Sequence, residues 1–422
     1  AGEGYFLNTT AGTISVNLPA GTAGAVVAFK DYAGTFDTNA VTLVQNGSDK
    51  IGGSTINATL NTEGIAVTLI FIDSTQGWLV TDDGLQTSAP TAAYVAATGG
   101  TITTVCTNFK VHTFTGPGTF CVSCAGNASG SNTVDYLVIA GGGGAAMRAG
   151  GGGGAGGYRF SNGTASGSFC AGPSPLGASA LPVSATSFPI TVGGGGAGVP
   201  APAGTSQNAT NGVNSVFSTI TSQGGGGSLG HASSAPSCVA STSYGAGGSG
   251  AGGSAGNCTN ALLARNGNTP PTTPSQGNNG GVGFNTPPAG IYVGGGGGGA
   301  GAVGVDGKGS APLEGGISAG GAGLTSTITG SPVARGGGGG GGTYTNSGST
   351  YAVSSGAGGS GGGGGAGQYN NPPLNPGAGN SGTANTGGGG GGSIEGPPGA
   401  PVTDWNGGAG GSGIVIIRYK FQ

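Results

Sequence analysis

The sequence contains few charged residues, with 10 Lys and Arg and 13 Asp and Glu among 422 residues and a net charge of -3. So small and diffuse a charge does not attract a polyanion or an anionic membrane surface. We therefore predict that nucleic acid is not a partner. The sequence also lacks any run of about 18 apolar residues, which excludes a transmembrane helix.

Side chains suited to catalysis are equally scarce. The only histidines are His112 and His231, and the only adjacent carboxylates, Asp82 and Asp83, lie in a turn-forming segment. General acid–base catalysis needs a positioned histidine or acids with shifted pKa values. We predict that the protein is not an enzyme and that it uses no cofactor.

The six cysteines are too sparse for a disulfide scaffold. Cys106, His112, Cys121 and Cys124 are close in the sequence, and a hairpin turning at residues 116–118 would place His112 across from Cys121. Four such ligands suit zinc, but their spacing is not that of a common zinc motif. A disulfide somewhere among the six is a second interpretation. We favour the third, buried free thiols without a metal.

Glycine, in contrast, is abundant and unevenly distributed. Of the 107 glycines, 12 lie in residues 1–98 and the other 95 follow. An average protein contains about 7% glycine, so the second part has an unusual composition. The shift predicts a small β-sandwich at residues 1–90, a linker at 91–100 and a glycine-rich domain at 101–422.

The first domain has the pattern of short strands. In residues 13–18 the apolar Ile14, Val16 and Leu18 alternate with polar residues, which is typical of a half-buried strand. Runs at 25–29, 41–45 and 65–72 continue the series and are separated by turn-forming residues. About seven short strands in this length predict an antiparallel sandwich or barrel. Its expected role is attachment or oligomerisation.

The glycines of the second part occur in blocks between strand-like segments, and we predict strands for the apolar runs at residues 134–139 and 414–419. Such blocks are often flexible linkers. Because these blocks follow apolar segments ending at Ile139, Val192 and Val293, we favour an ordered arrangement instead. Glycine forms extended helices of three residues per turn, which pack side by side through backbone hydrogen bonds. We predict an all-β fold with such polyglycine helices. The blocks are residues 141–144, 150–154, 193–196, 224–227, 294–299, 336–342, 361–365 and 387–392.

Three motifs carry a family resemblance: the segments 109–122, 134–144 and 411–419. They begin Phe109-Lys110-Val111-His112, Val134-Asp135-Tyr136-Leu137 and Gly411-Ser412-Gly413-Ile414. These segments resemble the glycine-rich domain of tail-fibre and other virion proteins of bacteriophages, and the resemblance covers roughly residues 100–422. Segments 27–36 and 60–64 resemble a β-domain that recurs in phage structural proteins.

The resemblance implies a tail fibre or receptor-binding tip in the virion, a homotrimer whose first domain binds other virion proteins. It also implies that loops between glycine blocks bind a glycan or outer-membrane protein of the bacterial host. Aromatic side chains stack on sugars and fill receptor pockets, so the candidate receptor-binding residues are Tyr344, Tyr351, Tyr369 and Trp405. Alternatively, these rings cap the polyglycine layers. The rival functions are a secreted or cell-surface filament and a capsid-decorating fibre.

Overall fold

The structure of the chain is a computed structural model. It describes residues 2–82, 92–163, 165, 177–201, 207–230, 244–255, 262–286, 291–308, 317–345, 355–367, 377–394 and 405–422. Within these ranges the fold is all-β, as predicted, and no helix has the length and hydropathy needed to cross a membrane. The chain divides into two compact units. Unit 1 comprises Ala1–Ala96, Cys124–Asn132 and Lys420–Gln422, and unit 2 comprises Ala97–Ser123 and Thr133–Tyr419.

The first 82 residues form a two-sheet sandwich. One sheet has the strand order β1-β3-β6-β7 and the other β2-β4-β5. Side chains of both sheets meet in one core that includes Phe29, Leu43, Leu60, Phe71 and Trp78. The strands are β1 (Glu3–Leu7), β2 (Ile14–Asn17), β3 (Val26–Asp31), β4 (Val41–Val44), β5 (Ala58–Leu60), β6 (Ala66–Asp73) and β7 (Gly77–Asp82).

The prediction of a purely antiparallel sandwich is wrong. β1 runs parallel to β3, with Tyr5 opposite Phe29, and β2 runs parallel to β4, with Val16 opposite Leu43. Both pairs are separated in the sequence by other segments, so they do not form hairpins. The alternation of apolar residues sets which face of a strand is buried, but it does not set the direction of the neighbouring strand.

A buried carboxylate closes the turn that follows β3. The two oxygens of Asp31 accept backbone N–H groups from Gly34 at 2.9 Å, Thr35 at 3.2 Å, Phe36 at 3.2 Å and Gly64 at 2.9 Å. Burial alone would raise the pKa of Asp31, but these N–H donors together lower it below its ordinary value. The ionised carboxylate therefore joins the turn to the segment before β6.

Two larger sheets belong mainly to unit 2. Their strand orders are β13-β12-β23-β10-β9, with β14 also paired to β12, and β17-β16-β15-β11-β8. The strands are β8 (Val95–Thr98), β9 (Thr101–Val105), β10 (Phe109–Phe114), β11 (Gly118–Ala125), β12 (Thr133–Ile139), β13 (Tyr158–Phe160), β14 (Leu181–Pro182), β15 (Ser187–Thr191), β16 (Ser215–Phe217), β17 (Ile220–Ser222) and β23 (Ile414–Lys420).

The central pair of the first of these sheets joins distant parts of the chain. β12 and β23 run antiparallel, with Leu137 opposite Ile416 and Ile139 opposite Ile414. Almost every side chain of both strands is buried, as expected for strands covered on two faces. The strand predictions for residues 134–139 and 414–419 are thus confirmed, and the glycine-rich chain between them begins and ends at neighbouring strands.

The predicted hairpin over residues 109–122 is wrong. β10 and β11 follow each other in the sequence but belong to different sheets, because β10 pairs with β9 and β11 pairs with β15. The turn at residues 115–117 therefore carries the chain from one sheet to the other. Turn-forming residues between two apolar runs predict that the chain reverses direction and that the runs pair as a hairpin. Here the two strands exchange no backbone hydrogen bonds, and each instead buries side chains against the sheet that contains the other.

Five aromatic rings fill the space between these two sheets. The His112 ring lies 5.5 Å from that of Tyr419 and 5.0 Å from that of Phe120, and Phe120 in turn lies 6.0 Å from Phe217 and 6.4 Å from Phe188. The contacts include edge-to-face pairs, a favourable arrangement of aromatic rings. Both sheets thus contribute side chains to one core.

Five short strands lie within or beside the glycine blocks. β18 (Phe284–Thr286), β19 (Ile291–Val293) and β22 (Thr343–Thr345) form one small sheet, and β20 (Leu324–Ser326) and β21 (Val333–Arg335) form a hairpin. Ile328, in the turn of that hairpin, packs in a core with Val111, Leu137 and Ile416. The first large sheet is thereby covered on its second face.

Candidate functional site

The glycine blocks form one hydrogen-bonded network, in which the partner of a residue changes with a period of three. Gly152 N–H donates to Gly295 O, Gly153 N–H to Gly390 O and Gly154 N–H to Gly226 O. The next three residues return to the same three neighbours: Ala155 donates to Gly298 O, Gly156 to Gly387 O and Gly157 to Gln223 O. Residues 152–157 are therefore surrounded by other segments on three sides, so this block is not a free tether.

Close approach explains why these positions are glycine. A Cβ added at Gly339 would lie under 3.0 Å from the carbonyl of Gly390, a separation that real Cβ atoms essentially never show. The φ angle of Gly339 is not in the left-handed region, so an L-amino acid could adopt the backbone conformation there. Space, rather than backbone conformation, excludes other residues from this position.

The network has two distinguishable ends. At the sheet end, Ala140 N–H donates to Gly157 O and Gly413 N–H donates to Gly193 O, next to β12 and β23. At the other end, called the loop end below, Val199 N–H donates to Ala145 O and Ala146 N–H donates to Ser228 Oγ. Further bonds at the loop end join Ser393 to Ala146, Ala255 to Ala149, Gly342 to Gly150, Gly294 to Gly342, Gly356 to Gly341, Gly367 to Gly392 and Gly379 to Asn406.

These bonds place the described residues next to the inter-block segments at one end of the network. The described residues that flank eight of the segments outside the described ranges all lie at the loop end, so the chain leaves and re-enters the network there each time. The segments are 202–206, 231–243, 256–261, 287–290, 309–316, 346–354, 368–376 and 395–404. Segment 166–176 differs, because the described residues before it follow β13 at the sheet end.

In the sequence, the four predicted receptor-binding residues lie within or beside three of these segments, namely 346–354, 368–376 and 395–404. Tyr344 lies in β22, where its backbone pairs opposite Tyr292 of β19. Tyr351 and Tyr369 lie outside the described residues. Trp405 is the first described residue after segment 395–404; its side chain is partly buried, and its Nε1 has no hydrogen-bond partner among the described residues. Their part in binding stays a prediction.

The candidate zinc ligands are not brought together. His112 is buried, and its Nδ1 and Nε2 face Gly99 O at 2.7 Å and Tyr419 Oη at 3.1 Å. Cys106, Cys121 and Cys124 are free thiols, but they are exposed, so the prediction of burial is wrong for these three. Cys170, Cys238 and Cys258 lie outside the described residues. No group of three potential metal ligands occurs in the described ranges.

Burial shifts the pKa values of the ionisable groups in the two-sheet core. It lowers the pKa of His112, and the nearby Lys110 lowers it further, while the hydrogen bond to Gly99 O opposes the shift. Burial also raises the pKa of Tyr419 to about 12. At neutral pH His112 is therefore neutral, and the Tyr419 hydroxyl keeps its proton.

Buried arginines are a feature that the sequence analysis did not identify. Arg265, Arg335 and Arg418 are all buried, and burial lowers the pKa of each. The Arg418 guanidinium stacks 4.7 Å above the Phe109 ring and donates to Ile328 O at 3.3 Å. A sequence signal was available, since Arg265 is the only charged residue between Phe160 and Val305. An isolated charge in so long a neutral segment indicates a structural role.

Comparisons with known proteins agree with this two-part architecture. Residues 113–420 match the family described as glycine-rich domain, and residues 1–85 match the family described as Bacteriophage T4 gp9/10-like protein, N-terminal. No curated protein matches the chain. The resemblance expected from segments 109–122, 134–144 and 411–419 is confirmed.

Proposed function

The chain belongs to the glycine-rich domain family and is a structural protein of a bacteriophage virion, and we propose that it is the tail fibre or receptor-binding tip. In this role the loop end contacts a glycan or an outer-membrane protein on the bacterial surface. The first domain attaches the protein to other virion proteins, the assembly is a homotrimer, and no catalysis is required.

The observation that carries the proposal is that the described residues flanking eight inter-block segments all lie at one end of the network. Binding residues commonly lie on loops held by a rigid scaffold, because loops vary without disturbing the core. The backbone network provides such a scaffold, since its contacts do not depend on the side chains of the loops. The loop-end residues Tyr344, Tyr351, Tyr369 and Trp405 are the proposed receptor contacts.

We further infer that the blocks run as polyglycine helices. A helix of three residues per turn directs every third N–H to the same side, which is the period of the hydrogen bonds from Gly152 to Gly157. Six neighbouring donors with three alternating acceptor segments support this geometry over β-strands, whose period is two.

The first domain has a surface suited to attachment. Val26, Ile70 and Leu79 stand opposite one another across three strands on the outer face of the β1-β3-β6-β7 sheet, where only partial burial is observed. Phe6 and Tyr32, beside this face, are 74% and 67% exposed. A solvated sheet face is normally polar, so this apolar patch on the face indicates an interaction surface. We assign this face to another virion protein.

Two alternative functions would use the same fold at a different location. A secreted or cell-surface filament would use the same backbone network for assembly, and a capsid-decorating fibre would place it elsewhere on the particle. Antibody labelling of residues 1–82 in imaged particles separates them. Label at the tail-fibre roots supports the proposal, label over the capsid supports decoration, and absence from particles supports the filament.

The receptor role is tested by single alanine substitutions at Tyr344, Tyr351, Tyr369 and Trp405. We expect at least one variant to adsorb more slowly to host cells while particle assembly is normal. Tyr5→Ala, which changes a 44% exposed tyrosine of the first domain outside the proposed attachment face, is the matched control and leaves adsorption by assembled particles unchanged. Normal adsorption by all four variants contradicts the assignment of these residues.

A further inference from the structure

Four exposed apolar side chains lie on adjacent segments at the side of the glycine network. They are Leu263, Val282, Val303 and Val305, which are 45%, 39%, 61% and 36% exposed. The backbone bonds of three segments place them together. Gly283 N–H donates to Leu262 O at 2.7 Å, and Gly307 N–H donates to Val282 O at 2.8 Å. We call these four residues the valine face.

The segment that carries two of these residues is an edge of the network. In residues 301–308 the buried residues are Gly304 and Gly307, while Val303 and Val305 point outward. Gly304 N–H donates inward to Asn279 O at 3.0 Å, and Val305 N–H donates to Ala319 O at 2.9 Å. Buried glycines therefore hold the segment against its neighbours, and its other side is open.

A second edge of the network shows that an apolar surface is not required there. In residues 377–383 the exposed side chains include Asn380, Ser381 and Thr383. Polar side chains at outward positions hinder the addition of a further glycine run to the edge, as charged residues do at the edges of β-sheets. The valines therefore call for a separate explanation, which is contact with an apolar partner.

Two charges of opposite sign border the valine face. The Asp306 carboxylate accepts the Val282 N–H at 2.7 Å, which keeps it at the margin of the face. Lys308, two residues later, is exposed and makes no ion pair among the described residues. A surface with an apolar centre and one charge of each sign at its rim is complementary to itself and has no preference for a strongly charged partner.

We propose that the valine face is an interface with a second copy of this chain. The proposal rests on the self-association included in the proposed function and assigns to it a surface in the glycine-rich domain. Val303 and Val282 of one copy pack against the apolar side chains of the next, and Lys308 of one copy meets Asp306 of the other. Four half-exposed side chains bury less area than a typical stable interface, so this contact adds to others in the assembly.

The test compares the full chain with two substituted forms by sedimentation equilibrium over a range of concentrations. The double variant Val282→Asp with Val303→Asp places two carboxylates in the face. We expect the concentration for half-maximal association to rise about tenfold or more, the change that about 1.4 kcal/mol produces. Val213→Asp is the matched control, because Val213 is 56% exposed on a different segment, and it should associate like the parent chain.

A second variant distinguishes weakened association from misfolding. Lys308→Glu removes no described hydrogen bond and no apolar side chain, yet it places like charges at the rim, so it should weaken association with an unchanged melting temperature. The proposal is overturned if the parent chain is monomeric at all concentrations, if both variants associate like the parent, or if Val213→Asp is equally disruptive. If both valine-face variants associate like the parent and particles carrying them adsorb normally to host cells, the interface is overturned but the proposed function is not. The adsorption of the loop-end alanine variants tests only the proposed function.

Discussion

His112 and Tyr419 are 307 positions apart in the sequence and are joined by a hydrogen bond of 3.1 Å between His112 Nε2 and Tyr419 Oη. Because His112 Nδ1 lies 2.7 Å from Gly99 O, a carbonyl, the proton of the neutral ring is on Nδ1 and Nε2 accepts from the hydroxyl. The Ala97 N–H also contacts the Tyr419 oxygen and opposes the rise in its pKa. β10 and β23, which lie at opposite ends of the glycine-rich chain, are thus connected through a buried polar group.

This arrangement predicts that acid destabilises the glycine-rich domain. The folded-state pKa of His112 is lowered from its ordinary value of 6.5, mainly by burial. Its stabilising effect is therefore complete above pH 6.5 and is lost as the pH falls from 6.5 toward the folded-state pKa. Melting temperatures measured by circular dichroism should decline through this range.

The control for the pH effect is His112→Gln, which removes the titrating group. This variant should melt at a lower temperature than the parent at neutral pH, because a buried ring and its hydrogen bonds are lost. Its melting temperature should, however, change little as the pH is lowered through the same range. An equal decline in both proteins would show that another group causes the effect.

The glycine network predicts opposite results for two glycine-to-alanine substitutions. Gly339→Ala would drive a methyl group into the Gly390 carbonyl and separate two segments. Overpacking of this kind costs about 1–3 kcal/mol, and each broken backbone bond adds about 0.5–1.5 kcal/mol. A large drop in melting temperature or new protease cleavage within residues 336–342 is expected.

Gly194→Ala is the matched substitution, because a Cβ at Gly194 meets no atom within 4 Å and its φ is not left-handed. Loss of chain entropy in the unfolded state should make this variant about as stable as the parent, or more stable by about 0.4–1 kcal/mol. Equal melting temperatures for the two variants would contradict the argument that space selects glycine in the network.

The Asp31 turn predicts a large effect of Asp31→Asn on the first domain. The amide keeps one oxygen but places an NH₂ group against N–H donors such as those of Phe36 and Gly64. Losing charge-assisted hydrogen bonds in a buried site should cost about 2–4 kcal/mol. Asp37→Asn, an exposed aspartate in the next turn, is the control and should cost less than about 0.5 kcal/mol in urea unfolding.

Asp31 also predicts an acid effect distinct from that of His112. Its folded-state pKa is lowered from 3.8, so its contribution is present above that value and is lost as the pH falls through the folded-state pKa. Stability of the first domain should therefore hold through the His112 range and fall only below about pH 4. Asp31→Asn should remove this late decline, and its persistence would assign it to another carboxylate.

The first domain is expected to fold as an independent unit. All members of its core, from Leu18 to Trp78, lie within the first 82 residues. A fragment of residues 1–85 should give a β-type circular dichroism spectrum and a single cooperative melt. Trp78→Ala, which empties the centre of this core, should abolish the transition, whereas a random-coil spectrum of the unsubstituted fragment would contradict independent folding.

Local pattern was enough to identify most of the elements that position the candidate site. The alternation at Ile14, Val16 and Leu18 and the apolar runs at 134–139 and 414–419 indicated strands, because the burial of a strand face leaves a period of two or a continuous apolar run. The density of glycine indicated where backbone must approach backbone. Apolar periodicity and glycine density are properties of residues that are adjacent in the sequence, so they can be recognised without knowing the fold.

Tertiary structure decided what lies beside each element. The direction of β1 against β3, the separation of β10 from β11 and the choice of Gly295, Gly390 and Gly226 as partners for residues 152–154 have no local signal. A glycine run has no side chains with which to specify a partner, since every peptide group in it offers the same donor and acceptor. Partners are selected instead by the strands at the sheet end and by the lengths of the loops, which is why the common loop end emerges only when the chain is folded.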